Sequence, residues 1–381
     1  MNATELFSER FGRSPAGLWQ APGRVNLIGE HTDYNEGFVL PFAIDRSTTA
    51  ALAPRHDRRV RVVTTFTDEL VETSLDELAP ESFGGWSAYP LGVAWAFGEY
   101  GAERDLLRGF DLSLDSDVPV GAGLSSSAAI EMTVAVALNE VWSLGFDRTT
   151  LARVGQRAEN VAVGAPTGIM DQAASVFGRV DAAVLIDCRS LTVTAVPLGF
   201  RDAGLALLVV DTHVEHAHAT GGYRERRDSC EDGARRLGVA ALRDITVTDL
   251  DRARSELDDT TFRRVRHIVT ENARVLDGVD ALQANDLARF GALLYESHAS
   301  MRDDFEISVP QLDLVVDVAA RNDAVGARMT GGGFGGSAIA LLPIDRADEV
   351  AERIASAFDE HGYDAPTSFV VTPSGGAGRV D

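Results

Sequence analysis

The chain has 381 residues, 35 basic against 58 acidic, and a formal charge of −23. Such acidity argues against nucleic acid or an anionic membrane as a partner, because both need a positive surface. With 45% hydrophobic residues the chain can build ordinary cores, and its length predicts two domains. All the Lys+Arg positions are arginine, which excludes a P-loop, protein-kinase or Schiff-base lysine. Phosphate chemistry here must rely on backbone amides, arginine and metal. Two cysteines, Cys188 and Cys230, without C-x-x-C spacing make a disulfide framework or thiolate zinc site unexpected. The first residues have no basic start followed by an apolar run. The longest apolar stretch, around Leu205–Val210, is far short of the ~20 residues of a membrane span. A soluble, cytoplasmic protein is expected.

In chain order, the first informative segment is Gly23–Ile44. It packs Arg24, Asn26, Glu30, His31, Asp33 and Asn35 between turn points at Gly29 and Gly37. Carboxylates accept from sugar hydroxyls while arginine and amides donate, so the segment suits a hydroxyl-rich ligand; a charged surface loop fits its spacing equally well. Arg59–Thr65 reads as β-rich, and Phe110–Leu114 alternates as a half-buried strand does.

Val118–Ile130 is rich in glycine and serine. Gly121 and Gly123 let a phosphate approach the backbone, and Ser125, Ser126 and Ser127 fall where a helix begins, with free N–H groups and the positive dipole end. An ordinary capped helix after a tight turn is the alternative, and the dinucleotide G-x-G-x-x-G pattern is broken by Ser126. Ile130, Val134, Leu138 and Val141 then share a helical face. A second helix starts near Thr149 or Thr150, buries Leu151, Val154, Ala158 and Val161, and ends at Gly164 and Pro166. A short helix covers Asp171–Phe177 and stops at Gly178. By local pattern alone Asp171 is an N-cap and Glu159 a solvated face residue.

Strand-like runs follow at Ala183–Ile186, Leu191–Val196 and Leu205–Val210, and a domain boundary is placed among them. We divide the chain into residues 1–195 and 196–381, and leave open a return of the final residues, Gly378–Asp381, to the first part. The second part carries amphipathic helices, including Phe262–Leu276 and Leu287–Met301, and closes with strands Ser337–Leu342 and Ser368–Thr372. The glycine-rich Met329–Ser337 reads as a structured turn between packed elements, although alone it could be a linker. The mixture implies two α+β domains.

Together, Gly23–Ile44, Val118–Ile130 and Met329–Ser337 resemble the three motifs of the GHMP kinases, and the first resembles the galactokinase signature specifically. The resemblance extends over nearly the whole chain, including Tyr223–Glu231 and Glu296–Asp304. It implies a two-domain fold, an N-terminal ribosomal protein S5 domain 2-like part and a C-terminal ferredoxin-like part, with the site in the cleft between them. It implies phosphorylation of α-D-galactose at the C1 hydroxyl by MgATP, the first committed step of galactose utilisation. Galactose and ATP are the implied partners, Mg²⁺ the implied cofactor; the oligomeric state is left open, with a monomer as the working expectation.

Carried over by position, the resemblance makes Asp171 the catalytic base or orienter and Arg24 its neighbour at the γ-phosphate. Glu30, His31, Asp33, Gly168 and Tyr223 match galactose contacts. Gly121, Ala122, Gly123, Leu124, Ser125, Ser126 and Ser127 match the phosphate loop, Ser127 and Glu159 the Mg²⁺ ligands, and Trp86 and Tyr89 the aromatic pair near adenine. A guanidinium beside a carboxylate keeps it charged and a weak proton acceptor, so Asp171 is expected to orient the hydroxyl and take its proton late. The chain departs from the family at Ser337, where many relatives carry Cys, at Ala88 and Pro90 around Tyr89, and at Glu215, a usually basic position. His213, His216 and His218 could ligate a metal, but no convincing ligand set accompanies them, and a role in the sugar loop is the preferred reading. The alternatives are a kinase acting on N-acetylgalactosamine or arabinose, and a catalytically dead sugar sensor. The sensor would have a damaged phosphate loop or lack the Asp; here Arg24, Ser127, Glu159 and Asp171 are all present.

Overall fold

The computed structural model describes residues 1–214 and 219–380. It opens with α1 (Ala3–Phe11), where the Asn2 side chain accepts from the Glu5 amide and Glu5 reaches back to Asn2. The strands β1 (Gly17–Asn26), β2 (Phe38–Val39) and β3 (Pro41–Pro54) precede the hairpin of β4 (Arg59–Thr64) and β5 (Thr67–Ser74). Next come α2 (Ala88–Glu99), β6 (Phe110–Ser116) and a helical run of α3 (Ser126–Val141), α4 (Arg148–Arg157) and α5 (Met170–Phe177). β7 (Ala182–Asp187) and β8 (Thr192–Pro197) join β2 in a small sheet.

The rest contains β9 (Leu205–Asp211), α6 (Ala219–Arg236), α7 (Leu250–Glu256), α8 (Asp259–Gln283), α9 (Leu287–Ser300) and α10 (Pro310–Arg321). It ends with β10 (Gly326–Thr330), β11 (Ser337–Pro343), α11 (Ala347–Glu360), β12 (Thr367–Val371) and β13 (Gly378–Arg379).

Two larger sheets carry the architecture. One has the order β13-β1-β3-β6-β4-β5 and the other β10-β11-β9-β12. Strand β9 is buried almost throughout because it lies between β11 and β12, and its run of Leu and Val reads accordingly. The chain returns at its end to the first sheet, where Gly378 and Arg379 pair with Gln20 and Trp19. An apolar cluster joins the sheets: Val25, Leu27, Phe42 and Leu124 pack with Leu207, Val209, Ile339 and Leu341, all essentially inaccessible. Burial of each such side chain is worth about 1.5–3 kcal/mol, so the two parts are held by a dry core rather than a hinge.

Three sequence expectations change. Gly23–Ile44 contains the end of β1 and the start of β3, with its polar residues turned inward; Asn26, Glu30 and Asn35 are all buried. Helix α3 is buried nearly all round, because it packs on β1 and β3 and against α2, α4 and α5; Ile130 and Val141 are its half-buried edge, not its core face. α4 runs on into a π-helical turn at Ala158–Val163, which advances the buried face by one residue, so Ala162 takes the place expected of Val161.

Candidate active site

Five stretches of chain converge on one cleft of about 370 Å³, within the range of small-molecule sites. The segment after β1 supplies Glu30, His31 and Asp33, and β1 itself supplies Arg24. The β6–α3 loop supplies Gly121 and Gly123 to Ser127, and the α4–α5 region supplies Glu159, Thr167, Gly168 and Asp171. Tyr223 comes from α6, and Gly331 and Gly332 from the turn between β10 and β11.

Asp171 sits in the first turn of α5, whose N-cap position is Ile169, so it is not the capping residue its local pattern suggests. Its carboxylate turns instead to Arg24, which donates from Nε at 2.8 Å and from Nη2 at 2.9 Å, while Ser125 Oγ donates to Oδ2. Arg24 Nη1 donates to the Gly123 carbonyl at 2.6 Å, tying this pair to the glycine loop. The guanidinium is only 5% exposed and Asp171 18%, so the carboxylate is the member that faces the cleft. Ser125 adopts a left-handed conformation (φ 58°) and leaves α3 without a side-chain cap, so the first amides of α3 meet the cleft.

Glu159 is buried at 5% exposure, not a solvated surface residue, because the π-helical turn carries it inward. Its Oε1 accepts from Ser127 Oγ at 3.0 Å. Its Oε2 accepts from Thr167 Oγ1 at 2.6 Å and from Gln172 Nε2 at 2.8 Å. Burial and the nearby Asp171 push its pKa up, against those three hydrogen bonds.

Asp33 lies against Gly168 so closely that a Cβ on Gly168 would stand 1.8 Å from its Oδ2; only glycine fits there. Burial and the charge of Asp171 raise the Asp33 pKa to about 6. Burial raises that of Glu30 to about 7, with Arg328, the Gly331 amide and Arg24 opposing. Glu30 Oε1 accepts from the Gly331 N–H at 2.6 Å, and its Oε2 accepts from the Asn26 side chain.

His31 uses both ring nitrogens: Nε2 donates to the Gly332 carbonyl at 3.1 Å, and Nδ1 accepts from Tyr34 Oη at 2.8 Å. Burial lowers its pKa to about 4, so the ring is neutral. Its face rests near Tyr223, whose own phenol is pushed well above its ordinary value by burial and by Asp33 and Asp171.

Among the described residues, the lining of the cleft omits Trp86, Tyr89 and Ala122. Trp86 Nε1 donates to Glu69 Oε2 at 3.1 Å. Burial and then the charges of Glu159 and Glu131 raise the pKa of Tyr89, on α2. Ala122 is buried and its carbonyl accepts from Ser337 Oγ at 2.6 Å, the contact by which the third glycine-rich turn braces the second; Ser serves in that place without a Cys. His213 bonds Thr367 at 2.7 Å, and Glu215, His216 and His218 lie outside the described residues.

Sequence reasoning missed the polar core beneath the site. Arg328 (0% exposed) donates to the Leu27 carbonyl at 2.8 Å and lies 3.6 Å from Glu30 and 4.0 Å from Glu271. Burial would raise Glu271, but Arg274 and Arg328 hold its pKa down to about 2; it accepts from the Gly29 amide at 2.9 Å and from Ser297 Oγ at 2.7 Å. His267 Nε2 donates to the Glu30 carbonyl at 3.2 Å, and its Nδ1 lies 2.9 Å from Ser300 Oγ. The available signal was charge on an apolar stripe: Arg264, His267 and Glu271 share the buried face of α8 with Val265, Ile268 and Val275.

Ser127 Oγ and Glu159 Oε1 are hard oxygen donors side by side on the cleft wall, a donor set that fits Mg²⁺ completed by phosphate oxygens and water. Among the described residues no group of three or more His, Cys, Asp or Glu could hold a metal by itself.

The galactokinase galactose-binding signature matches residues 5–54, the GHMP kinase N-terminal domain residues 88–179 and the GHMP kinase C-terminal domain residues 279–360. A galactokinase of Streptomyces coelicolor is 51% identical over 379 residues, which are 99% of this chain and 97% of the relative. The chain belongs to the galactokinase family. A Streptomyces lividans galactokinase is 49% identical over 96% of this chain and 92% of its own. Among solved structures, Lactococcus lactis galactokinase complexed with galactose superposes with a TM-score of 0.94 at 34% identity, covering 99% of this chain and 98% of that one. A mevalonate kinase at TM-score 0.65 and 18% identity, covering 93% and 98%, shares the fold alone. The galactokinase-family chain therefore has the two-domain GHMP kinase fold, and none of its described helices is long and apolar enough to cross a membrane.

Proposed function

We propose that this chain transfers the γ-phosphoryl group of ATP to the C1 hydroxyl of α-D-galactose, as a cytoplasmic enzyme using Mg²⁺. The observation that carries the reading is the Asp171–Arg24 pair at the meeting point of a carboxylate-lined pocket and an uncapped helix N-terminus. One side offers acceptors for sugar hydroxyls (Glu30, Asp33), with Gly168 and Tyr223 closing the wall. The other offers amides and serines to a polyphosphate.

Phosphoryl transfer passes through a loose transition state, so catalysis rests on positioning and on neutralising charge. Asp171 accepts from the C1 hydroxyl, aims its oxygen at the phosphorus and takes the proton as the new P–O bond forms. Arg24 holds Asp171 in line and sets a positive charge beside the transferring group. The α3 amides, Gly121 and the Gly123–Ser127 loop neutralise the β- and γ-phosphates. Ser127 and Glu159 would hold Mg²⁺, which when bound supplies further charge neutralisation there. Trp86 and Tyr89 lie beyond the cleft, and we assign the adenine to their side of the phosphate loop. His31 acts through its ring face and by fixing the Gly332 turn, since both its nitrogens are engaged.

The test is a coupled ADP-release assay on purified enzyme with galactose, N-acetylgalactosamine, arabinose and glucose. Galactose should give the highest kcat/KM. No ADP release with galactose, or a larger kcat/KM with another sugar, overturns the reading.

A further inference from the structure

Under the wall of the cleft lies a buried pair that the reaction as described does not use. Gln172 and Glu131 are both 0% exposed, one on α5 and the other on α3. The Gln172 amide nitrogen bridges two carboxylates, donating to Glu131 Oε2 at 2.9 Å and to Glu159 Oε2 at 2.8 Å. Gln172 Oε1 and Glu131 Oε1 are buried with no hydrogen-bond partner among the described residues. Nothing at the oxygen end of the amide therefore fixes its orientation. The two acids do, since turning it round would aim a carbonyl oxygen at both. Space for this side chain comes from α4, where a Cβ on Gly155 would stand 3.0 Å from Gln172 Cγ.

We propose that Gln172 is a positioning residue for the metal-binding carboxylate, with Glu131 setting the orientation of its amide. Gln172 and Thr167 together occupy Oε2 of Glu159, which leaves Oε1, the oxygen beside Ser127, as the one turned to a divalent cation. The carboxylate is thereby held to single-oxygen ligation. That suits an ion which keeps most of its sphere for phosphate and water. Partners behind a ligand orient it and tune its affinity. This role rests on the proposal that Glu159 binds the metal.

The test measures the Mn²⁺ dissociation constant of the enzyme–ADP complex, read from the EPR signal of free Mn²⁺. Galactose affinity by calorimetry without nucleotide and the thermal midpoint are measured alongside. Gln172→Met removes both donors at similar length and should weaken Mn²⁺ binding about 10- to 100-fold. Galactose affinity should stay unchanged, whereas a merely structural role would disturb the adjacent Asp171 and the sugar with it. Glu131→Gln keeps an oxygen for the Gln172 amide and should bind Mn²⁺ nearly as the parent does. Glu131→Leu removes that oxygen and should approach Gln172→Met. Unchanged Mn²⁺ affinity in Gln172→Met, with Glu159→Gln weakened, overturns the positioning role alone. Unchanged affinity in Glu159→Gln overturns the metal site itself. Should Gln172→Met fail to fold, the contrast between Glu131→Leu and Glu131→Gln decides, and equal affinities in those two variants reject the proposal.

Discussion

Arg24 grips Asp171 with two parallel hydrogen bonds, Nε to Oδ1 at 2.8 Å and Nη2 to Oδ2 at 2.9 Å. With Ser125 also donating to Oδ2, the carboxylate has few free lone pairs, and those remaining face the cleft. Asp171→Asn keeps the shape but replaces one acceptor oxygen by a donor. Turnover should fall by about 10²–10⁴, the usual span for a lost proton acceptor, while galactose still binds. Calorimetry against a single-turnover assay separates the two, and near-parental turnover would reject the assignment.

Arg24→Lys is not a conservative change, because an ammonium cannot span both carboxylate oxygens and the Gly123 carbonyl at once. The expected loss in kcat is about 10²–10³, comparable to removing one preorganised donor from a transition state. Galactose KM should move much less, and a raised KM with kcat unchanged would show that Arg24 serves binding alone.

Gly168→Ala tests the wall between Asp33 and Gly168. The new methyl would need the space of Asp33 Oδ2, so the carboxylate must swing away. We expect about 10²-fold weaker use of galactose, the typical cost of displacing a substrate-positioning group by about 1 Å. The affinity for ADP should be unaffected, and a proportionate loss there would mean that the loop as a whole had moved.

Protonation of Asp33 gives a pH signature. Its pKa is raised to about 6, and only the ionised form offers acceptors on both oxygens to sugar hydroxyls. As pH falls through 6 the binding-competent fraction drops, so the galactose dissociation constant should rise about tenfold per unit below that point. Glu30, raised to about 7, titrates in the same cleft, so the curve should flatten only above about 8. Asp33→Asn should remove the step near 6 in calorimetric titrations and leave the Glu30 step near 7, and a step near 6 that survives this change would assign it to another group.

Arg328→Met would leave Glu30 and Glu271 buried without their shared cation. Breaking a buried pair in this way costs about 3–5 kcal/mol, and urea unfolding should show it as a lower midpoint. Adding Glu271→Gln should restore part of the loss. No restoration would mean that Arg328 acts through its bond to the Leu27 carbonyl instead.

Much of this was legible beforehand because its signals are local. The strands at 205–211 and 337–343 carry the unbroken apolar runs Leu205–Val210 and Ala338–Pro343, and the π-helical turn that continues α4 ends at Gly164 in the left-handed conformation that glycine permits. The residues of the cleft were legible only through the joint resemblance of three motifs. Taken singly, Asp171 reads as a cap and Glu159 as surface, because what buries them, β1 and the π-helical turn, is distant or irregular. Glu131, Gln172, Glu271 and Arg328 escaped notice for a related reason: apart from Arg274, one turn from Glu271, the partners that bury them lie 13 to 302 positions away, and no periodicity encodes such pairings. A charged residue inside an apolar stripe is the trace they leave.

Strand β13 gives the molecule a second covalent link between its two larger sheets, the first being the passage from β8 to β9. A protease that cut the Phe200–Gly204 turn, exposed from Arg201 to Gly204, would leave the pieces stitched by the tail along Trp19 and Gln20. A nicked preparation should thus migrate as two bands in denaturing gels yet elute as one body, and removing the last strand as well would take away the second tether.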